Sequence, residues 1–332
     1  MTKRPTMVDI ALAAGVSQAT VSLVLSGGTT ARISTETREK VQSLAAEMGY
    51  ARRGLARGGG SGVLALLIDE VTTTPFATPF LDAAKDEAAA LGWLVATFIT
   101  GGDSANEVAI LHTLAALDLK GVIYARLITR TVHPPEPLFA LPTVLLNCHE
   151  PSRRLPCVIP GDVAGMQSAT EALIKAGHRR IAHLPGEDWT EATRDRLRGY
   201  KQALAAHDIP FDPALVSRPA WTVGSGRAAM TGLLDQRPTA VTCFNDRVAI
   251  GACEAIRASG LAIPGDVSVI GYDNEDLGAH LAPPLSTVQL PHDDMARLAI
   301  TLLAEGGRPL PYQRLKVDCP LVLRDSVARI GV

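Results

Sequence analysis

The sequence predicts a small all-α headpiece joined to a larger α/β body of two doubly wound parallel sheets. Three observations predict it. In "VDIALAAGVSQATVSLVLSGG", residues 8–28, two apolar-periodic segments stand a few residues apart, split by "AGVS". Beyond residue 60, strand-like runs alternate with segments of helix length. Charge divides the chain at the same place. Residues 1–60 hold 8 Lys/Arg against 4 Asp/Glu, whereas the rest hold 24 against 30. A basic end on an acidic body is the pattern of an anion-binding module attached to a larger domain.

The headpiece is read first. Thr6 is an N-cap candidate before Val8, Ile10, Ala11 and Ala14, which have helical spacing. Gly15 stops that helix, and Val16 tucks into the turn. Ser17 caps a second helix with Val21, Val24 and Leu25 on its buried face, ended by Gly27 and Gly28. Ser34 caps a third, with Val41, Leu44, Ala45 and Met48 apolar and Gly49 closing it. This is a helix–turn–helix with a supporting helix. Its second helix buries one face and turns the other, with Gln18, Ala19 and Ser22, outward, as a major-groove helix must. Gln18 suits adenine and Ala19 a thymine methyl. The hydroxyls of Thr6, Ser17 and Thr20 suit phosphates at positive helix N-termini, and Ser34 is counted with them. The same residues would also serve as plain caps and helix surface.

"TMVDIALAAGVSQATVSLVLSGG…ISTETREKVQSLAAEMGY" resembles the DNA-binding headpiece of the lactose-repressor family of bacterial transcription regulators, over residues 6–50. The resemblance implies an arginine where this chain has Leu23, so an operator unlike the commonest one is expected. It also implies a hinge that becomes a helix on DNA and wedges a leucine into the minor groove. Here the hinge "ARRGLARGGGSG", 51–62, looks about one helical turn short. Counting back from the strand at Val63 places Leu55 at the wedge; counting forward from Tyr50 places Gly59 there. Wedging needs an apolar side chain, which favours Leu55. Arg52, Arg53 and Arg57 offer guanidinium groups to phosphate on either count. A flexible Gly-rich linker is the plain alternative.

In the body, "VLALLID", "WLVATFI", "GVIYAR", "TVLLNC", "RRIAHL", "AVTCF" and "VSVIGYD" read as strands. "ATPFLDAAKDEAAALG", "GMQSATEALIKAGH" and "DRVAIGACEAIRASG" read as helices between them. That alternation means parallel sheet, and there are too many units for one comfortable sheet. Two subdomains are expected, about 63–160 plus 291–318 and about 161–290 plus 319–330, with a cleft between them. Ligands of open α/β sheets bind beyond the carboxyl ends of strands. Asn245 and Asp246 follow "AVTCF", Asp273 ends "VSVIGYD", and Arg196 opens the helix after "HLPG".

"GHRRIAHLPG", "R-x-x-G-Y", "F-N-D-x-x-A-I-G" and "IPGDVSVIGYDN" make this body similar to the periplasmic-binding-protein-like effector domain of the same repressor family. The resemblance implies that Arg196 and Asp273 hold a small polar effector, with Phe76, Trp221, Phe244 and Asn245 at the walls. A glutamine usual in relatives is Leu290 here. A fork of donors facing a carboxylate favours a sugar or nucleoside over an apolar molecule.

The remaining features mostly exclude. Cys148, Cys157, Cys243, Cys253 and Cys319 form no C-x-x-C pair and read as buried thiols of a reducing compartment. Cys148–His149 has no second pair to complete a metal site, so neither metal nor cofactor is expected. The start lacks a signal-peptide run, and there is no stretch of about 18 uninterrupted apolar residues, which points to the cytoplasm. "GGGSG" precedes its strand, whereas a dinucleotide fingerprint follows one. A secreted solute-binding protein would share the body without the headpiece. The expectation is a regulator, not an enzyme. It would bind a palindromic operator as a homodimer, with a tetramer left open, since one headpiece reads only a few base pairs.

Overall fold

The computed structural model describes residues 7–25, 33–48, 62–72, 77–115, 117, 119–305 and 310–330. In chain order the elements begin with α1 (Met7–Ala14), α2 (Gln18–Leu25), α3 (Thr35–Glu47), β1 (Gly62–Ile68), α4 (Ala77–Ala90) and β2 (Trp93–Ile99). Next come α5 (Ser104–Leu114), β3 (Leu119–Thr131), β4 (Thr143–His149), β5 (Cys157–Pro160), α6 (Asp162–Lys175), β6 (Ile181–Leu184) and α7 (Glu191–Ala206). Then follow α8 (Val223–Leu233), β7 (Ala240–Cys243), α9 (Asp246–Ala258), β8 (Ser268–Asp273) and α10 (Asp276–Ala279). The chain closes with β9 (Ser286–Gln289), α11 (His292–Glu305), β10 (Arg314–Val317) and β11 (Leu321–Val322). It forms two compact units: Met1–Pro160 with Pro291–Val317, and Gly161–Leu290 with Asp318–Val332.

The headpiece lies in the first unit. Gly15 takes φ 73°, a conformation costly for any residue with a β-carbon, and so turns the chain between α1 and α2. The N–H groups of Gly15 and Val16 both donate to the Ala11 carbonyl, at 2.9 and 3.1 Å. Ser17 Oγ accepts from Thr20 N at 3.0 Å, and Ser34 Oγ from Thr37 N at 3.1 Å, so both serines are caps. Ile10, Ala14, Val21, Val24, Val41 and Ala45 bury one small core.

Two of the three residues expected to face outward on α2 do not. Ala19, Ser22 and Leu23 are all buried. Ala19 and Leu23, one helical turn apart, join the core cluster that contains Leu302 and Leu303 of α11. The reason is the leucine. An arginine at position 23 would demand water or an anion, whereas Leu23 extends a second apolar stripe, and removing it from water is favourable. Gln18 and Thr20 stay partly exposed and Ser17 exposed.

The first unit's sheet runs β10–β5–β4–β3–β1–β2 with every pair parallel. Residues 64–68 of β1 are fully buried because helices cover both faces. Leu64, Leu66 and Ile68 point to the side of α4 and α11, with Phe80 and Leu298, while Ala65 and Leu67 meet Leu111 and Leu114 of α5.

The second unit's sheet runs β11–β9–β8–β7–β6; β11 pairs antiparallel with β9, and the other pairs are parallel. α8 and α9 cover one face through Met230, Val248, Ala252 and Ile256. On the other, α6 and α7 pack through Met166, Leu173, Tyr200 and Leu204. A β-carbon at Gly199 would run into the Val163 carbonyl, so the glycine lets α7 close onto α6. That approach brings Arg196, three residues earlier, against Asp162 at the head of α6.

Candidate functional site

Two strand ends of the second unit, those of β7 and β8, converge with the head of α6 on Arg196, which is 3% exposed. Its Nε donates to Asp162 Oδ1 at 2.8 Å, and Nη1 donates to the Phe244 carbonyl just past β7. Nη1 also stands 3.8 Å from Asp273 Oδ1 at the end of β8. The guanidinium lies over the Tyr272 ring, 3.6 Å from its centroid, and 4.6 Å from that of Phe244. Burial works against its charge, but Asp162, Tyr272 and Asp273 together hold its pKa above the usual arginine range. Asp273 is driven the other way. Burial raises its carboxyl well above the usual range, and Arg196, at this distance, only partly opposes that. Asp273 also holds φ 104°, where a side chain is strained.

The turn beyond β8 is fastened from several sides. Asp246, the first residue of α9, accepts from Thr287 Oγ1 at 2.6 Å and from Glu275 N at 2.8 Å. Burial lifts its carboxyl to about 7, against the pull of those two donors. Arg247 pairs with Glu275 at 3.1 Å, and Arg324 donates to Asn274 Oδ1 at 2.6 Å. Asn245 caps α9 through Val248 N at 2.8 Å, while its Nδ2 donates to the Trp221 carbonyl at 3.3 Å.

Arg196, Phe244, Asn245 and Asp273 are thus brought together, with Trp221 joined through its backbone. Sequence reading missed Asp162 and Tyr272. The signals were the acidic residue after the glycine in "VIPGD" and the aromatic before Asp273. Thr6, Arg52, Arg53, Leu55, Arg57 and Phe76 lie outside the described residues.

The first unit has its own polar cluster at strand ends. Arg126 Nη2 donates to Glu107 Oε1 at 2.7 Å, and the Tyr124 hydroxyl to Glu107 Oε2 at 2.7 Å. Arg130 pairs with Asp69 at 2.7 Å, while Asp69 Oδ1 accepts from Leu127 N at 2.9 Å. Asn147, at φ 55°, donates to the Arg126 and Leu127 carbonyls across the register shift between β3 and β4.

The five cysteines are all buried. Burial pushes the Cys253 thiol to about 11 and that of Cys319 to about 12, so both stay unreactive thiols. Among the described residues no group of three or more His, Cys, Asp and Glu could hold a metal ion. No helix among them is long and apolar enough to cross a membrane.

A helix–turn–helix headpiece on a two-unit parallel α/β body defines a class, the DNA-binding regulators that carry a ligand-binding body. Comparison with known proteins agrees. Residues 6–53 match the model of bacterial regulatory proteins of the lacI family, and residues 170–327 that of the periplasmic binding protein-like domain. The ribose operon repressor of Haemophilus influenzae is 33% identical, over 97% of this chain and 98% of its own length. The repressor CytR of Escherichia coli K12 is 32% identical over 97% and 96%. Among solved structures, the CelR–cellobiose complex aligns at TM-score 0.64 and 30% identity, over 97% of this chain and all of that one. The lac repressor dimer bound to operator and the anti-inducer ONPF aligns at 0.67 and 27%, over 98% and 100%. The chain belongs to the LacI family of bacterial transcription regulators. It is a regulator of transcription, not an enzyme.

Proposed function

We propose that the protein is a cytoplasmic repressor that binds a palindromic operator as a homodimer and answers to a small polar effector, a sugar or a nucleoside. The observation that carries the effector reading is Arg196, held between Asp162 and an incompletely paired, buried Asp273. A buried carboxylate costs much unless it is paired. A ligand hydroxyl donating to Asp273 while another accepts from Arg196 would relieve that cost. Phe244 and Trp221 supply walls. The relatives support the class of ligand, since CelR is seen with cellobiose and another relative is named for a ribose operon.

On DNA, Gln18 and Ala19 would read bases. Thr6, Ser17, Thr20, Ser22 and Ser34 would line the phosphates with Arg52, Arg53 and Arg57, and Leu55 would wedge the minor groove. For that, α2 must leave α11, because Ala19 and Ser22 are covered here. The effector acts by differential affinity for the covered and released states. The test selects DNA on the full-length protein, then repeats a gel shift on the recovered site with sugars and nucleosides. A palindrome whose binding changes with one of these ligands is expected. Recovery of a single half-site would overturn the dimeric reading, and indifference to every sugar and nucleoside the effector reading.

A further inference from the structure

Trp189 is half exposed, at 52%, in a molecule poor in aromatics. It sits in the loop between β6 and α7, beside Thr190, the residue whose hydroxyl caps α7 at Thr193 N. The loop is tied down. Asp188 pairs with Arg218 Nε at 2.7 Å, and its carbonyl accepts from Arg194 at 3.0 Å. The indole Nε1 of Trp189 donates to Glu187 Oε2 at 2.9 Å. A large apolar ring is therefore held in water by bonds that fix its loop. Folding alone gives no reason for this, since burial is what an indole gains from a fold.

Its neighbour is Trp221, 5.4 Å away between centroids and tilted by 44°. The Nε1 of Trp221 is buried and has no hydrogen-bond partner among the described residues. A buried indole N–H without an acceptor is costly, and a ligand oxygen would remove the cost. Two independent features, a presented ring and an orphaned donor, mark one place.

We infer that Trp189 and Trp221 form an outer saccharide subsite, so that the effector is a sugar of at least two rings. This rests on the effector reading of Arg196 and Asp273. The tilted rings already touch, which leaves no slot between them for a flat base; the open face of Trp189 suits the C–H face of a pyranose. Glu187, Asp188 and Arg218 stand beside it for hydroxyls. Distance supplies the second ring. Trp189 stands ahead of α7, whose first residue is Glu191, and the rise from there to Arg196 alone is about 7.5 Å of helix axis at 1.5 Å per residue, more than the width of one sugar ring.

The experiment is calorimetric titration of the full-length protein with glucose, cellobiose, maltose, xylose and xylobiose. It is repeated on Trp189→Ala and Arg196→Lys. A disaccharide is expected to bind about tenfold or more tighter than its own monosaccharide, a step of about 1.4 kcal/mol. Trp189→Ala should bring that ratio near one and leave monosaccharide affinity unchanged, while Arg196→Lys weakens both. A ratio untouched by Trp189→Ala overturns the subsite and leaves the effector reading standing. Failure of every saccharide to bind wild type overturns the subsite, and the effector reading falls with it only when nucleosides fail to bind as well.

Discussion

Each unit buries an arginine cluster at the ends of its parallel strands, and the two clusters differ in how their charges are matched. In the first unit Arg126 has Glu107 and Arg130 has Asp69, each at 2.7 Å, and backbone or hydroxyl donors fill the remaining carboxylate positions. In the second, one arginine serves two carboxylates, at 2.8 and 3.8 Å, and a third buried acid, Asp246, stands close by. A matched cluster fixes strands. An under-matched one leaves a buried carboxylate with something to gain from a ligand. Even the strained residues follow this division: Asn147 at φ 55° spends its side chain on neighbouring carbonyls, whereas Asp273 at φ 104° presents a carboxylate.

Breaking the two clusters is the largest test of this difference. Arg196→Ala leaves Asp162 and Asp273 buried without a cation, and loss of one buried partner costs about 3–5 kcal/mol. Urea unfolding should show that loss. Arg196→Lys keeps the charge but not the fork, and should keep the fold while weakening the effector response. In the first unit the triple change Arg126→Leu, Glu107→Leu and Tyr124→Phe removes the matched pair together with the buried hydroxyl that donates to it. It should leave stability nearly unaltered and the effector response intact. Equal loss of response in both units would break the distinction.

The covered recognition helix gives an intermediate effect. Leu23→Arg removes an apolar anchor, and burial of a leucine is worth about 1.5–3 kcal/mol. The variant should release α2, become more open to protease in the headpiece, and bind operator more tightly than wild type in a gel shift. Unchanged protection together with unchanged affinity would show that the contact of α2 with the α11 side does not restrain DNA binding.

The smallest effects are pH slopes within the second unit, and they have opposite signs. Asp246 has a folded value of about 7, above its unfolded 3.8, so the folded state holds more protons between those values and stability falls as pH rises across that window. His183 has burial depressing it to about 3 from 6.5, so its contribution is present above 6.5 and lost as pH falls. Urea midpoints from pH 4 to 7 should therefore rise more steeply with pH in Asp246→Asn than in wild type, and less steeply in His183→Gln. Slopes equal to wild type in both would refute the assigned burial effects.

The alternation of strands and helices was legible because two-sided burial writes continuous apolar runs such as "VLALLID". The headpiece was legible because caps and glycines punctuate it: Ser17, Ser34 and Gly15 do locally what their side chains, or the lack of one, permit. β5, β9 and β10 were not, since β9 (STVQ) and β10 (RLKV) mix polar residues into four positions and β5 (CVIP) ends on a proline. Nor was the antiparallel pairing of β11, because strand direction in a sheet is a property of the partner.

By itself the sequence determined the headpiece, the parallel α/β body and the identity of Arg196 and Asp273 as polar residues at strand ends. Local propensity and apolar period act over a few residues, and those signals sit in the chain itself. Only the tertiary structure decided what those residues meet. Asp162 reaches Arg196 across 34 positions because Gly199 lets two helices close together. Leu23 turns a face of α2 from water to protein, because the apolar surface that receives it belongs to α11, far along the chain. Burial and charge pairing depend on neighbours in space, and no local period encodes them.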